Sequence, residues 1–131
     1  MDTNRFERGL CRLREIDGSA GEAVVESLRD IAPDLGRYII EFGFGDIYSR
    51  PGLTLPQREL VTIAALAALG NARPQLKVHI HAACNVGLSR EEIVEALIQV
   101  AVYAGFPAAL NAVFAAEEVF AEREGTSDSE A

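Results

Sequence analysis

Positively charged residues are few in this sequence, and they are scattered along it. Lys77 is the only lysine, and the chain has 12 basic residues against 20 acidic ones, so its net charge at neutral pH is −8. Proteins that bind nucleic acids or anionic membranes electrostatically present clusters of lysine and arginine. Because the sequence contains no such cluster, we expect neither kind of partner.

Cysteine is also scarce. Cys11 and Cys84 are the only two cysteines, and they form no Cys-x-x-Cys motif. Disulfide frameworks and dithiol redox centres both use cysteines in pairs. The first ten residues are rich in charge and lack the apolar segment of a secretion signal. These features predict reduced thiols and a cytoplasmic protein.

The two histidines, His79 and His81, are too few and unsuitably spaced for a metal site. Residues two apart in a helix point about 200° away from each other, so these two side chains cannot bind one ion together. His81 and Cys84 do share a helix face, but a zinc site needs three or four protein ligands. We therefore expect no bound metal.

Apolar residues, by contrast, are abundant and make up 49% of the 131 residues. A small monomer has a large surface to cover with polar groups, so this excess predicts a homo-oligomer. The longest uncharged run, Leu97–Ala116, approaches the ~20 residues of a membrane span. The sequence Ala-Gly-Phe-Pro at residues 104–107 interrupts this run, which predicts two buried helices instead.

Apolar residues recur at helical spacing along almost the whole chain, and no segment has the pattern of a useful strand. Three pairs fit capping boxes at helix starts: Ser19 with Glu22, Thr54 with Gln57, and Ser89 with Glu92. We expect helices at about residues 4–16, 19–31, 33–49, 55–69, 74–86, 89–104 and 107–124. The predicted fold class is all-α, a single-domain bundle of about six to seven helices over residues 1–124. Residues 125–131 are expected to form a disordered acidic tail.

Two of the predicted helices have unusual composition. Gly36, Gly43 and Gly45 lie within the third helix, which predicts close packing or a bend there. The fourth helix is apolar on all sides after Glu59, which predicts a central, buried helix.

Two polar residues lie in apolar surroundings and are the main candidates for chemistry. Glu59 is the last charge before ten uncharged residues, and a buried carboxylate is costly unless it is paired. It would form either an ion pair with an arginine or a carboxyl group with a raised pKa. His79 shares a mainly apolar helix face with Ala82 and Ala83. It would be either a hydrogen-bonded core histidine or a general acid and base.

Four further positions are secondary candidates. Arg58 would bind a substrate carboxylate or simply begin a solvated helix. Tyr103 and Asn111 lie near the interruption at residues 104–107, where they would line a pocket or cap helix ends. Cys84, like Cys11, is expected to be an inert thiol.

Four stretches resemble the carboxymuconolactone decarboxylase family, within the alkylhydroperoxidase D-like superfamily. They are DLGRYIIEFGFGDIYSRPGL from Asp34, RELVTIAALAALGN from Arg58, QLKVHIHAACNVGLSREEIVE from Gln75 and VYAGFPAALNAVFAAEEVF from Val102. The resemblance implies an all-α subunit assembled into trimers or hexamers, and we favour a hexamer built as a trimer of dimers.

Two activities occur in this superfamily, and the resemblance favours one of them. The peroxidase branch uses a Cys-x-x-Cys motif before a histidine that corresponds to His79. Its cysteines would fall at Ala72 and Gln75, so dithiol peroxidase chemistry is disfavoured. The other branch decarboxylates 4-carboxymuconolactone, a lactone of aromatic catabolism, without any cofactor. A thiol-dependent peroxidase and a non-catalytic protein with an unknown ligand stay open as alternatives.

The resemblance also assigns roles to individual residues. His79 would donate to the developing oxyanion or deliver a proton, and Glu59 would orient His79 or relay that proton. Arg58, Tyr103 and Asn111 would contact the small carboxylate or lactone substrate. His81 and Cys84 are kept as possible secondary site residues.

Overall fold

The computed structural model describes the backbone of residues 3–130 and the side chains of residues 4–125. Within this range it contains seven α-helices, one π-helical segment and no strand, which confirms the all-α prediction. The α-helices are α1 (Thr3–Asp17), α2 (Ser19–Ser27), α3 (Pro33–Tyr38), α4 (Leu55–Leu69), α5 (Arg73–Asn85), α6 (Arg90–Ala104) and α7 (Phe106–Glu130), and the π-helical segment is Ile39–Ile47.

The chain groups into two compact units, Met1–Arg58 and Glu59–Ala131. Helix α4 begins in the first unit and continues in the second. The predicted disorder of residues 125–131 stays a prediction, because the side chains beyond residue 125 lie outside what the structure describes. Among the described residues, no helix combines the length and apolar character needed to cross a membrane.

In the first unit, α1 packs against the π-helical segment at glycines. A methyl group added to Gly9 would overlap the carbonyl oxygen of Ile40, and one added to Gly45 would lie 2.6 Å from the carbonyl oxygen of Arg5. The sequence predicted close packing or a bend where Gly36, Gly43 and Gly45 lie. Gly45 is closely packed, and a methyl group added to Gly36 would lie 3.2 Å from Val25, whereas one added to Gly43 would meet nothing within 4 Å.

Ion pairs also connect α1 with the π-helical segment. Arg5 contacts Asp46 at 2.7 Å and Glu41 at 3.3 Å, and Glu41 also approaches Arg37 at 3.4 Å. The hydrogen bond from Arg5 lowers the pKa of Asp46, with additional attraction from Arg5 and Arg8. Glu41 is thus a buried acid that is paired with two arginines.

The core of the second unit lies between the apolar faces of α4, α5, α6 and α7. Its buried members are Ile63, Ala67, Leu76, Ile80, Ala83, Leu88, Ile93, Leu97, Val100, Ala112, Ala115, Ala116 and Val119. Gly87 and Gly105 have positive φ angles of 104° and 96° at the ends of α5 and α6. These are conformations that glycine adopts readily, and they let the chain reverse between the helices.

The predicted capping boxes are confirmed at two of three places. Ser89 and Glu92 form the expected reciprocal capping box, and the backbone and side chains of Thr54 and Gln57 exchange the same two bonds at 2.9 and 3.3 Å. The box at Ser19 is wrong. Ser19 is the first residue inside α2, and Glu22 pairs with Arg14 instead.

The predicted burial of α4 and of the helices beside Gly105 is also wrong. Helix α4 buries only one face, and Val61 and Leu69 on its other side are 61% and 66% exposed. Beside Gly105, Val102 is 74% and Phe106 is 76% exposed. Helices that are apolar on every side therefore have one face that a single chain leaves exposed.

Candidate active site

Glu59 and His79 form a buried carboxylate–imidazole pair between α4 and α5. The Oε2 atom of Glu59 lies 3.2 Å from the Nδ1 atom of His79. The Glu59 side chain is fully buried, whereas His79 keeps 19% of its side-chain surface exposed. The pair thus consists of a carboxylate shielded from solvent and an imidazole ring that solvent or a ligand can reach.

Helix periodicity explains why both side chains lie in this position. Glu59 is one and two turns before Ile63 and Ala67, so it lies on the face of α4 that enters the core. His79 is three and four residues before Ala82 and Ala83, which are both fully buried. Each polar group is therefore carried inward by a face whose remaining members are apolar.

The hydrogen bonding of Glu59 is incomplete among the described residues. Its Oε2 atom faces His79, while its buried Oε1 atom has no hydrogen-bond partner in that part of the chain. A buried carboxylate oxygen without a donor is costly and calls for an explanation, of which a role in proton transfer is one.

The same contact sets the arrangement of protons on His79. A carboxylate can only accept, so the Nδ1 atom of His79 donates to Glu59. The Nε2 atom is then the ring nitrogen that faces away from the carboxylate. A ring oriented in this way can take up and release a proton at Nε2 while Glu59 stabilises its charged form.

The other predicted substrate-binding residues have different surroundings. Arg58 donates from Nη2 to the carbonyl oxygen of Arg50 at 2.9 Å. Tyr103, in the last turn of α6, is 86% exposed. Asn111 lines a cavity of about 20 Å³ together with Arg73 and other residues of α4, α5 and α7.

His81 has different hydrogen-bond partners from His79. Its Nε2 atom donates to the Oε2 atom of Glu122 at 2.9 Å, and Arg123 donates from Nη1 to its Nδ1 atom at 3.3 Å. No local sequence pattern could have revealed these partners, which lie more than 40 positions away on α7.

Cys84 lies half-buried on α5. Burial raises the pKa of its thiol, and Arg123 and Arg90 oppose this shift only partly. A thiol with a raised pKa is a weaker nucleophile at neutral pH. Within the described residues, no group of three or more His, Cys, Asp and Glu side chains is placed to hold a metal ion.

These features define an all-α protein with a carboxylate–imidazole pair between two helices of its second unit. The family model of the carboxymuconolactone decarboxylase family matches residues 33–118, a span that crosses both compact units. The chain belongs to the carboxymuconolactone decarboxylase family.

Three curated relatives illustrate the range of the family. A protein from Acinetobacter baylyi named 4-carboxymuconolactone decarboxylase is 38% identical over 120 residues, covering 91% of this chain and 89% of that protein. A Metarhizium robertsii protein named nitrosuccinic acid decarboxylase is 32% identical over 116 residues, covering 86% and 79%. An uncharacterised 15.0 kDa protein of Paracoccus denitrificans is 31% identical over 101 residues, covering 76% and 75%.

Proposed function

We propose that this protein decarboxylates 4-carboxymuconolactone, giving the 3-oxoadipate enol-lactone in aromatic catabolism. The chain is a lyase of its family, and the likeness to the Acinetobacter enzyme supports this choice of substrate. The observation that carries the proposal is the Glu59–His79 pair, in which a fully buried carboxylate orients an accessible imidazole.

The substrate supplies its own electron sink. Its reacting carboxylate is attached to the ring carbon that bears the ring oxygen. When the bond to CO2 breaks, the electron pair moves through the ring double bond onto the lactone carbonyl oxygen. The protein then has to stabilise that oxyanion and supply one proton to carbon, and the proposal requires no cofactor.

His79 performs the proton transfer in this mechanism. Its protonated ring donates from Nε2 to the oxyanion or to the ring carbon next to the carbonyl group, and it regains a proton from water afterwards. Glu59 stabilises the imidazolium through Nδ1 and keeps the ring in one orientation. His81 takes no part, because its ring is bonded to Glu122 and Arg123 instead.

Substrate binding is assigned to residues with suitable groups. Arg58 directly precedes Glu59 in α4, and we assign its guanidinium to a substrate carboxylate. Tyr103 and Asn111 keep their predicted role as further polar contacts. The working unit is a homo-oligomer, with a hexamer preferred over a trimer, and the exposed apolar side chains support such an assembly.

The Metarhizium relative provides a second substrate to test. Its name refers to nitrosuccinic acid, in which a nitro group next to a carboxyl group can accept the electron pair that CO2 loss releases. Decarboxylation of either acid therefore needs the same group in the protein, a hydrogen-bond donor placed at the developing negative charge. Turnover of nitrosuccinic acid in preference to the lactone would retain the mechanism and change the substrate.

Steady-state kinetics of matched variants test the roles of the pair. His79→Asn keeps a donor facing Glu59 but removes the titrating ring, and it is expected to lower kcat by about 10²–10⁴-fold. Glu59→Gln preserves the side-chain volume but not the negative charge, and kcat is expected to fall with KM little changed. The control is His81→Gln, which alters the other histidine of α5 and should retain wild-type turnover. Equal losses in both histidine variants would contradict the assignment.

A further inference from the structure

Helices α6 and α7 form a groove along one side of their hairpin. The two helices run antiparallel, because Arg90 at the start of α6 contacts Glu124 late in α7. The groove has a volume of about 400 Å³, which falls within the ~300–1,000 Å³ of small-molecule sites. Neither Glu59 nor His79 is among the described residues that line it, so it is separate from the carboxylate–imidazole pair.

The floor of the groove is apolar and rests on the core of the second unit. Val94 of α6 and three residues of α7, Val113, Phe120 and Ala121, line this floor. Val113 and Phe120 also pack against the buried core residues of the second unit. Because this packing holds the apolar surface in place, a ligand finds the surface already formed and loses less free energy to ordering it.

One end of the groove carries a charge that is already neutralised. The guanidinium of Arg90 lies 5.1 Å from the centre of the Phe120 ring, and it forms an ion pair with Glu124. It therefore has both an aromatic face and a carboxylate as partners within the chain. A carboxylate or phosphate ligand would have to displace Glu124 to reach Arg90, which disfavours anions in this groove.

The middle of the groove carries an acid that has no such partner. Glu117 is exposed, and its side chain forms no hydrogen bond or ion pair with another residue that the structure describes. It lies seven residues before Glu124, or ~10 Å along the axis of α7. One arginine and two glutamates leave the lining with a net charge of −1, in a chain whose net charge is −8. Such surroundings attract cations.

We propose that this groove binds an organic monocation, a small amine with an apolar body. Its ammonium group pairs with Glu117, and its apolar part lies on Val94, Val113 and Phe120. An aromatic body adds ring contact with Phe120. The inference goes beyond the proposed reaction, and its test measures binding, so it succeeds or fails independently of lactone turnover.

Methyl NMR of the full chain with labelled valines tests the proposal, using three probes of closely similar shape. Phenethylammonium is the cation, phenethyl alcohol is uncharged and hydrocinnamate is the anion. Phenethylammonium is expected to shift the Val94 and Val113 signals saturably, with a Kd of about 1–10 mM for a ligand of this size. The other two probes should bind about threefold more weakly or worse. The signals of Val61 on α4, outside the groove, should not move.

Matched variants then locate the cation. Glu117→Gln keeps the size of the side chain and removes its charge, so it should weaken phenethylammonium binding about threefold or more and leave phenethyl alcohol unaffected. Ala121→Phe fills the groove from an exposed position and should weaken both probes. The control is Glu95→Gln, which removes the same charge from α6 outside the groove and should leave every affinity unchanged.

Four results would overturn the proposal. They are equal binding of the cation and the anion, an unchanged affinity in Glu117→Gln, equal weakening in Glu95→Gln, and the absence of any saturable shift in the wild type. The last result is the one expected if another chain covers the groove. Circular dichroism should report unchanged helix content in every variant, because all three substituted positions are exposed.

Discussion

At the scale of single residues, burial decides which polar groups can do chemistry. Glu59 is completely buried and its partner is a histidine, whereas Glu41 is also buried but lies between two arginines. An arginine keeps its own charge at any physiological pH, while an imidazole can exchange protons with its surroundings near neutral pH. This difference in partner separates Glu59, the acid of the candidate site, from the structural acid Glu41.

The thiol of Cys84 provides a residue-scale prediction. Because burial raises its pKa, Cys84 should react with iodoacetamide at pH 7 at least about tenfold more slowly than the exposed Cys11. The measurement uses two single-thiol proteins, Cys11→Ser and Cys84→Ser, which serve as controls for each other. Faster reaction at Cys84 would reopen a thiol-dependent activity.

The sequence was enough to choose the candidate site residues, but it did not reveal most of the residues that they contact. An acid before ten apolar residues drew attention to Glu59, and the divergence of His79 and His81 followed from helix geometry alone. The link between Glu59 and His79 came from the family resemblance, since no local pattern joins residues 20 positions apart. The bonds of His81 to Glu122 and Arg123 depend on how α5 packs against α7, which the sequence does not display.

At the scale of helices, local signals predicted the ends well and tertiary contacts decided the exceptions. Helices α4 and α6 end within a residue of their expected bounds, because a capping box starts each and a glycine follows each. The π-helical segment was not predicted. It lies where the backbone of Ile40 meets Gly9 of α1, a contact between positions 31 residues apart.

That contact gives a prediction for the stability of the first unit. Gly9→Ala would place a methyl group against the Ile40 carbonyl oxygen, so it should destabilise the fold by about 1–3 kcal/mol despite the higher helix propensity of alanine. Gly43→Ala is the matched control, since open space surrounds that position, and it should be neutral or slightly stabilising. Chemical denaturation of both variants measures the difference, and equal stabilities would refute the close contact.

At the scale of the whole molecule, ion pairs link distant parts of the chain and make its stability depend on pH. Hydrogen bonds from Arg73 and Lys77 lower the pKa of Glu118, and bonds from Lys77 and His81 lower that of Glu122. The same pairing raises the pKa of Lys77. Carboxylates with lowered pKa values stabilise the fold above their unfolded pKa, near 4.3, and lose this contribution as pH falls through the folded values.

Thermal unfolding should therefore show a fall in midpoint below about pH 4. Lys77 has the opposite effect at the alkaline end of the profile. Because its pKa is raised in the folded chain, it stabilises the fold below its unfolded pKa, and this stabilisation is lost at strongly alkaline pH. Glu122→Gln should flatten the acid side of the profile. Glu95→Gln, which alters an exposed acid on α6, is the control and should leave the profile unchanged, and an equal change in both variants would argue against the α5–α7 pairs.

The exposed apolar surface is the other property that appears only at this scale. The high apolar fraction of the sequence predicted an oligomer. The uncharged stretches predicted buried helices, but the structure exposes Val61, Leu69 and Val102 there. Helical periodicity cannot distinguish a side chain buried within one chain from one covered by another chain, since both are apolar. The proposed homo-oligomer would cover these exposed apolar side chains.

The most direct test of the central claim is CO2 release from 4-carboxymuconolactone by the purified protein, with a chelator present and no thiol added. The account predicts turnover by the wild type and its near-complete loss in His79→Asn, with the helix content of both proteins equal. A folded wild-type protein that releases no CO2, or a His79→Asn variant as active as the wild type, would contradict it.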